Sequence, residues 1–449
     1  MPSSTSGAVR VAVLADSDTR WKWGALTARR ISTDSSHGSV ELSGFLLRGR
    51  ATPTARQLDE VGAAADALRE VTGIGFLKEL REGAYDVVVL ALVGGAVQAM
   101  LHGIAALGLE KRPVVVTGYV GVVYEKLSDG LLLRHGADIV LANSRYDAQR
   151  FRGVYAGVGA DASAVTEAAL PFLGGERYRA EEGRDTLVFA AQPSVPATRA
   201  DRAYLLRRLV EHARLHPGRE VLLKLRSKPG EHTTHVEEFP YQRLAEKTPG
   251  GLPPNFRLVY GNMGEVLDRT DLLVTVSSTA ALEALHRSVP TAILTDFGIR
   301  EPLGNHHFLG SGCLASWDQL DGGGRPRADA VWADRQGVAA DGTYATAFDE
   351  ARAHLAKLLE TRSAGPGAGL PPLAPYYTAT TAPGYLPGLL ARYHLAADGT
   401  ALASSRTARD EPAGGLRRVV REAVRGAARG AYRHGVQRVA PVIRRMGEL

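Results

Sequence analysis

The sequence predicts an α/β protein built from two successive doubly wound parallel sheets. Three observations carry that reading. Short aliphatic and β-branched runs alternate with segments of helical length. The runs are continuously apolar rather than alternating, which is what strands covered on both faces require. A stretch rich in Pro, Gly and charge, "PFLGGERYRAEEGRD" at 171–185, divides the series in two.

The first series is "VRVAVLAD" (9–16), "VELSGFLL" (40–47), "YDVVVLALV" (85–93), "RPVVVTGY" (112–119) and "ADIVLANS" (137–144). The second is "TLVFAAQPS" (186–194), "EVLLKLRS" (220–227), "FRLVYGN" (256–262), "DLLVTVSS" (271–278) and "PTAILTDF" (290–297). A Gly-, Asp- and Arg-rich loop at 321–345 precedes a helix near 346–360, and "SAGPGAGLPPLAPYY" is built like a linker. These signals divide the chain into a first domain at 1–178 and a second at 179–345. A helical return segment crossing the domains at 346–395, a linker at 396–413 and an Arg-rich helix at 414–449 complete it.

At 449 residues the chain exceeds what one core supports, so more than one domain is expected. Cys313 is the single cysteine, which excludes an internal disulfide and a multi-cysteine zinc site. No signal-peptide core and no run of about 18 apolar residues is present, so the expectation is a cytoplasmic protein.

The net charge of +6 is localised. Of 54 Lys+Arg and 48 Asp+Glu, 9 Arg and 2 Glu lie between Gly414 and Leu449, which leaves 45 against 46 in the body. A neutral body argues against nucleic-acid binding and for one contact with something anionic. Arg417, Arg421, Arg425, Arg429 and Arg433 are spaced four apart beside an apolar band. That pattern fits a helix on an anionic membrane surface, or equally one packed on a partner; Gly426, Gly430 and Gly435 weaken it by about 1 kcal/mol each.

Ligands of open parallel sheets bind beyond the carboxyl ends of strands. "VLLKLRSKPGEHTTH" (221–235) runs from an apolar strand into Lys224, Arg226, Lys228, Glu231, His232 and His235, a set suited to an anion. "DLLVTVSSTAALEAL" (271–285) places Ser277, Ser278 and Thr279 between a strand and a helix, where hydroxyls and amides accept phosphate. Helix capping alone accounts for one of those serines. Glu283, a turn further on, suits ribose hydroxyls or a solvated helix face.

With "KLRSKPGEHTTH" at 224–235 and "TVSSTAALEALHRSVPTAIL" at 275–294, the sequence resembles the nucleotide-binding half of GT-B glycosyltransferases. More narrowly, it resembles bacterial capsule and wall-polymer transferases: polysialyltransferase-like, capsular Kdo-transferase-like and CDP-glycerol glycerophosphotransferase-like enzymes. The resemblance implies two Rossmann-like domains facing a cleft, with Lys224, Arg226, Ser277, Ser278 and Thr279 on the donor phosphate. It places Asp296 and Phe297 near the nucleotide or donor sugar, with Asn305, His306 and His307 on the following loop. It also implies that no metal or other cofactor is required.

One departure matters: where those families have His-Pro, Arg226 and Ser227 stand here. Arginine holds a phosphate but does not deliver a proton at neutral pH. Either Arg226 serves as a fixed cation or His232 or, preferably, His235 takes the histidine's place.

Attack by an acceptor hydroxyl requires a base. "LADSDTRWKWG" (14–24) offers Asp16 and Asp18 with Arg20 and Lys22, and its Trp21 and Trp23 are expected to stack on acceptor sugars. "GYVGVVYEKLSDG" (118–130) adds Glu125 and Asp129 as carboxylates and Tyr119 as an aromatic acceptor contact. Capping explains Asp16 or Asp18 equally well. The bare Gly-Gly of "LVGGAVQAM" (92–100) is too weak a signal to use.

The resulting expectation is transfer from a nucleotide-sugar, with a CMP-linked ulosonic acid favoured over a UDP-sugar, to a cell-surface glycan or lipid-linked acceptor. The alternatives are a glycerophosphotransferase, a sugar-nucleotide epimerase and a non-catalytic nucleotide-binding scaffold.

Overall fold

The continuously apolar runs become parallel strands of two sheets. The computed structural model describes residues 8–32, 39–122, 126–228, 231, 237–338, 343–364 and 369–402. The first sheet contains β1 (Val9–Ala15), β2 (Val40–Leu47), β3 (Ala67–Val71), β4 (Val87–Ala91), β5 (Val114–Gly118), β6 (Ile139–Ala142) and β7 (Val165–Glu167), ordered β3-β2-β1-β4-β5-β6-β7. The second contains β8 (Thr186–Ala190), β9 (Glu220–Lys224), β10 (Phe256–Val259), β11 (Leu272–Thr275), β12 (Thr291–Leu294) and β13 (Leu314–Ala315), ordered β10-β9-β8-β11-β12-β13. Each order reverses beside the sheet's first strand, so each sheet has a switch point with a crevice beyond the strand ends.

The first lobe carries α1 (Asp18–Ser32), α2 (Ala55–Val61), α3 (Gly73–Glu82), α4 (Gly94–Ala106), α5 (Leu127–Leu132) and α6 (Arg145–Gly157). The second carries α7 (Arg199–Leu215), α8 (Tyr241–Ala245), α9 (Met263–Leu267), α10 (Ala280–His286), α11 (Trp317–Asp321) and α12 (Ala330–Arg335). After them come α13 (Asp349–Ser363) and α14 (Leu386–Ala391).

Successive side chains of a strand point to opposite faces, so two covered faces demand an unbroken apolar run. In β1, Val11, Val13 and Ala15 join Ala25 and Ala28 of α1, whereas Ala12 and Leu14 join Phe76 of α3 and Met100 of α4. In β8, Leu187 and Phe189 meet Leu205 and Leu209 of α7, while Val188 and Ala190 meet Leu282 and Leu285 of α10. The return segment takes both faces of the first sheet. Ala351 and Leu355 of α13 enter one core, and Leu386, Leu389 and Leu390 of α14 enter the other.

Trp21 and Trp23 do not face a cleft. Both are fully buried, which corrects the expectation that they stack on acceptor sugars. Trp21 donates its indole N–H to Ala63 O at 3.0 Å, and a Cβ on Gly44 would lie 2.5 Å from its ring. Trp23 reaches the other flank, where a Cβ on Gly118 would lie 2.8 Å from its ring. Helix α1 lies over the centre of the sheet, so side chains on both of its flanks are covered.

No helix among the described residues is long and apolar enough to cross a membrane. The Arg-rich segment at 414–449 lies outside the described residues.

Candidate functional site

Side chains fasten both switch points. Beyond β1, Asp16 accepts from Val93 N at 3.0 Å, joining the ends of β1 and β4, and its other oxygen takes Arg20 Nη1 at 2.9 Å. Beyond β8, Gln192 Oε1 accepts from Ser277 N at 3.0 Å, joining the ends of β8 and β11. The Ser277 hydroxyl donates to Leu303 O at 2.5 Å. Asp16 and Ser277 are thus occupied by the fold, contrary to their expected roles as base and phosphate ligand.

Between the lobes, cations meet carboxylates. Asp18 opens α1 and is buried; its Oδ1 accepts from Thr19 N at 2.7 Å and, across the cleft, from Arg226 Nη2 at 2.6 Å. Arg226 also donates to the Thr19 hydroxyl. Lys224 closes β9 with 8 % of its surface exposed, and its ammonium donates to Leu225 O at 2.8 Å. Burial pulls its pKa down to about 8, with nearby Glu60 acting in the opposite direction. Glu283 of α10 is buried, and burial raises its pKa against Lys22, Arg287 and Lys224. Lys22 Nζ of α1 stands 3.9 Å from Glu283 Oε2. The Thr279 hydroxyl accepts from Val122 N of the first lobe at 3.5 Å. The structure therefore gathers Asp18, Lys22, Lys224, Arg226, Thr279 and Glu283 where the lobes meet.

Other expected residues stand apart. Ser278 Oγ accepts from Ala280 N at 3.3 Å, a local turn contact just before α10. Asp296 accepts the Tyr204 hydroxyl at 2.8 Å and Trp317 N at 3.2 Å, serving the start of α11 rather than a nucleotide. Phe297 meets Tyr204 edge to face. Tyr119 is not an open stacking surface, because Arg134 lies 4.0 Å from its ring centroid and Phe151 packs beside it. Asn305 staples its own loop, donating to Leu294 O and Gly298 O. Glu125, His232 and His235 lie outside the described residues.

Sequence reasoning missed Arg134. Its buried guanidinium donates to Gly118 O at 3.0 Å, Gly130 O at 2.8 Å and Leu92 O at 3.2 Å, tying the ends of β4 and β5 to α5. The signal was a lone arginine after the apolar "LLL" of 131–133. A buried arginine in such a place needs carbonyl partners.

His212, His216 and Asp321 bring potential metal ligands within 4.8 Å of one another, between the ends of α7 and α11 and beside Arg219, which precedes β9. Arg219 Nη1 donates to His212 Nε2 at 2.9 Å, so the proton sits on Nδ1 and is given to Asp321 at 2.6 Å. Both ring nitrogens of His212 are therefore engaged within the protein. Burial also depresses His307, from 6.5 to about 4, among Tyr146, Phe308 and Trp332. Below pH 6.5 the unfolded chain binds protons that these folded histidines refuse, so stability falls as pH drops from about 6.5 to about 4. His307 alone accounts for up to about 3 kcal/mol over that window. Urea unfolding at stepped pH should show this slope, and His307→Phe should flatten it; an unchanged slope would contradict the assignment.

No curated protein matches the sequence at a significant level. Among solved structures, a protein from Listeria monocytogenes described as a "putative UDP-N-acetylglucosamine 2-epimerase" superposes with a TM-score of 0.50 at 12% identity, covering 81% of this chain and 100% of that one. The UDP-GlcNAc 2-epimerase from Neisseria meningitidis gives 0.48 at 10% identity, covering 78% and 100%. The S. aureus MnaA–UDP structure gives 0.47 at 10% identity, covering 75% and 94%. At these identities the likeness concerns fold alone, and the fold is GT-B: two parallel-sheet α/β domains facing a cleft. A family model described as "Putative glycosyltransferase (DUF6716)" matches residues 11–358. Since that match runs through both sheets and takes in both walls of the cleft, the chain belongs to this glycosyltransferase family.

Proposed function

We propose that this chain transfers a sugar from a nucleotide-activated donor to a glycan or lipid-linked acceptor, with Lys224 and Arg226 receiving the donor phosphate. One observation carries the reading: beyond β9, Arg226 pairs with Asp18 of the first lobe and buried Lys224 lies within the electrostatic reach of Glu283, which Lys22 of the first lobe approaches to 3.9 Å, so cations and carboxylates of both lobes converge on one cleft. The acceptor oxygen attacks the anomeric carbon, the bond from that carbon to the phosphate oxygen breaks, and its electron pair stays on the phosphate. Lys224 and Arg226 stabilise that charge in a water-poor setting. They supply the countercharge themselves, so the reading requires no bound metal.

On this reading Glu283 takes donor hydroxyls, and Thr279, which reaches Val122 of the first lobe, borders the phosphate. Asp18 is the favoured base among the described carboxylates. Asp18 pairs with Arg226 across the cleft. A phosphate that takes over Arg226 frees the Asp18 carboxylate to accept the attacking hydroxyl's proton.

Resemblance of residues 224–235 and 275–294 to capsule transferases favours a CMP-linked ulosonic acid, with UDP-sugars next. The Arg-rich segment at 414–449 would suit attachment to an anionic membrane surface beside a lipid-linked acceptor. The test is product analysis after incubation with labelled CMP-sugars, UDP-GlcNAc and CDP-glycerol. Sugar transfer, or donor hydrolysis that vanishes in Arg226→Ala, is expected. Glycerol phosphate transfer, or epimerisation without an acceptor, would replace the reading; nucleotide binding without turnover would leave a scaffold.

A further inference from the structure

We propose that α2 is a clasp on the first lobe that holds the Lys224–Lys228 segment against the cleft, with Arg56 and Glu60 as its positioning residues. The proposal deepens the transferase reading, since what α2 would position is the cation pair assigned to the donor phosphate.

Helix α2 is fully built, and its Leu58 and Val61 pack on the first lobe's core. Thr54 and Gln57 form a reciprocal capping box at its start, and Gly62 ends it in the left-handed conformation at φ 62°. Yet Gln57 is its only buried residue. Two of its polar residues, Arg56 and Glu60, reach across the cleft.

Arg56 gives Nε and Nη2 to the two oxygens of Glu231, a bidentate pair joining residues 175 apart, and gives Nη1 to Glu60. Glu60 Oε1 accepts from Gly261 N at 2.9 Å, and the Glu60 carbonyl accepts from Asn262 Nδ2 at 3.0 Å. One short helix thereby grips two loops of the other lobe, those following β9 and β10.

The grip is passed on to the cations. Glu231 Oε2 also accepts from Lys228 N at 2.8 Å, so the carboxylate held by Arg56 also holds the backbone four residues beyond Lys224. Lys224 lies close enough for Glu60 to be the chief charge opposing its loss of a proton. The Arg56 and Glu231 side chains are 27 % and 13 % exposed, against 46 % and 37 % for the surface pair Arg48 and Glu70. A partly shielded bidentate pair is one whose loss is felt, whereas an exposed pair contributes little.

The experiment uses the full chain with Arg56→Glu, Glu231→Arg and the two combined, and with Arg48→Glu as control. Small-angle scattering reads lobe separation, and calorimetry reads binding of CMP and UDP. Each single reversal is expected to raise the radius of gyration and weaken nucleotide binding by about tenfold or more. The double reversal restores the opposite charges across the cleft and should recover both in part, since the pair to Glu60 and the bond from Lys228 N stay lost, while Arg48→Glu changes neither. Should a reversal fail to fold, Arg56→Gln takes its place, with the same opening expected. Singles as compact as the unaltered chain, or a double as open as the singles, would overturn the clasp. If the unaltered chain binds neither nucleotide, the transferase reading fails, and scattering still decides the clasp.

Discussion

Lys224→Met is expected to lower kcat/KM for transfer by about 10²- to 10³-fold, the order lost when one preorganised donor to a developing negative charge is removed. Methionine keeps much of the buried stem's volume, so the folded chain should survive and the loss should be chemical. The pH profile gives the same residue a second signature. With its pKa brought down to about 8 by burial, Lys224 holds its proton below that value and releases it above. Because kcat/KM reports groups of the free enzyme, transfer should decline on the alkaline side from about pH 8. Lys224→Arg keeps a cation at every accessible pH and should abolish that alkaline limb. Full activity in Lys224→Met, or an alkaline limb unchanged in Lys224→Arg, would remove Lys224 from the donor site.

Trp21→Ala should be the most damaging single change to stability, costing about 3–5 kcal/mol. The ring is fully buried between α1 and β2, against Gly44 and Leu68, and its N–H is satisfied by Ala63 O. Truncation leaves a cavity and an unpaired carbonyl together. Unfolding of a two-lobed chain is not a single two-state step, so the first lobe's transition is the one to follow by denaturant titration. Folded Trp21→Ala protein should keep its acceptor KM. Normal stability with a raised acceptor KM would restore the sugar-stacking role that burial removes.

The fold was legible where physics leaves little choice. Strands covered on two faces must be apolar throughout, and ten of them stand out as such runs. The three that escaped, β3, β7 and β13, are all edges of their sheets. β3 is "ALREV", with its first four residues exposed, and β13 has two residues, so neither burial nor length leaves a pattern.

The site was legible in part for a similar reason. Lys224 and Arg226 follow an apolar strand directly, and only a strand end can place such cations beside a crevice. Trp21 and Trp23 misled because tryptophans among charged residues look like a sugar platform. Their burial depends on neighbours at Gly44, Ala63 and Gly118 that local sequence does not reveal. Asp296 misled differently: a carboxylate after a strand can serve a ligand, but here it serves the start of α11. The α2 clasp could not be read at all. Arg56 and Glu231 are ordinary surface-type residues until the fold brings positions 175 apart into contact.

The central claim is that Lys224 and Arg226 hold a donor's phosphate in the cleft between the sheets. A crystal of the full chain soaked with CMP or UDP tests it most directly. The expected density has phosphate within hydrogen-bonding distance of Lys224 and Arg226, with the Arg226 contact to Asp18 broken and Glu283 facing the ribose. A nucleotide seated elsewhere, with the Asp18–Arg226 pair intact, would contradict it.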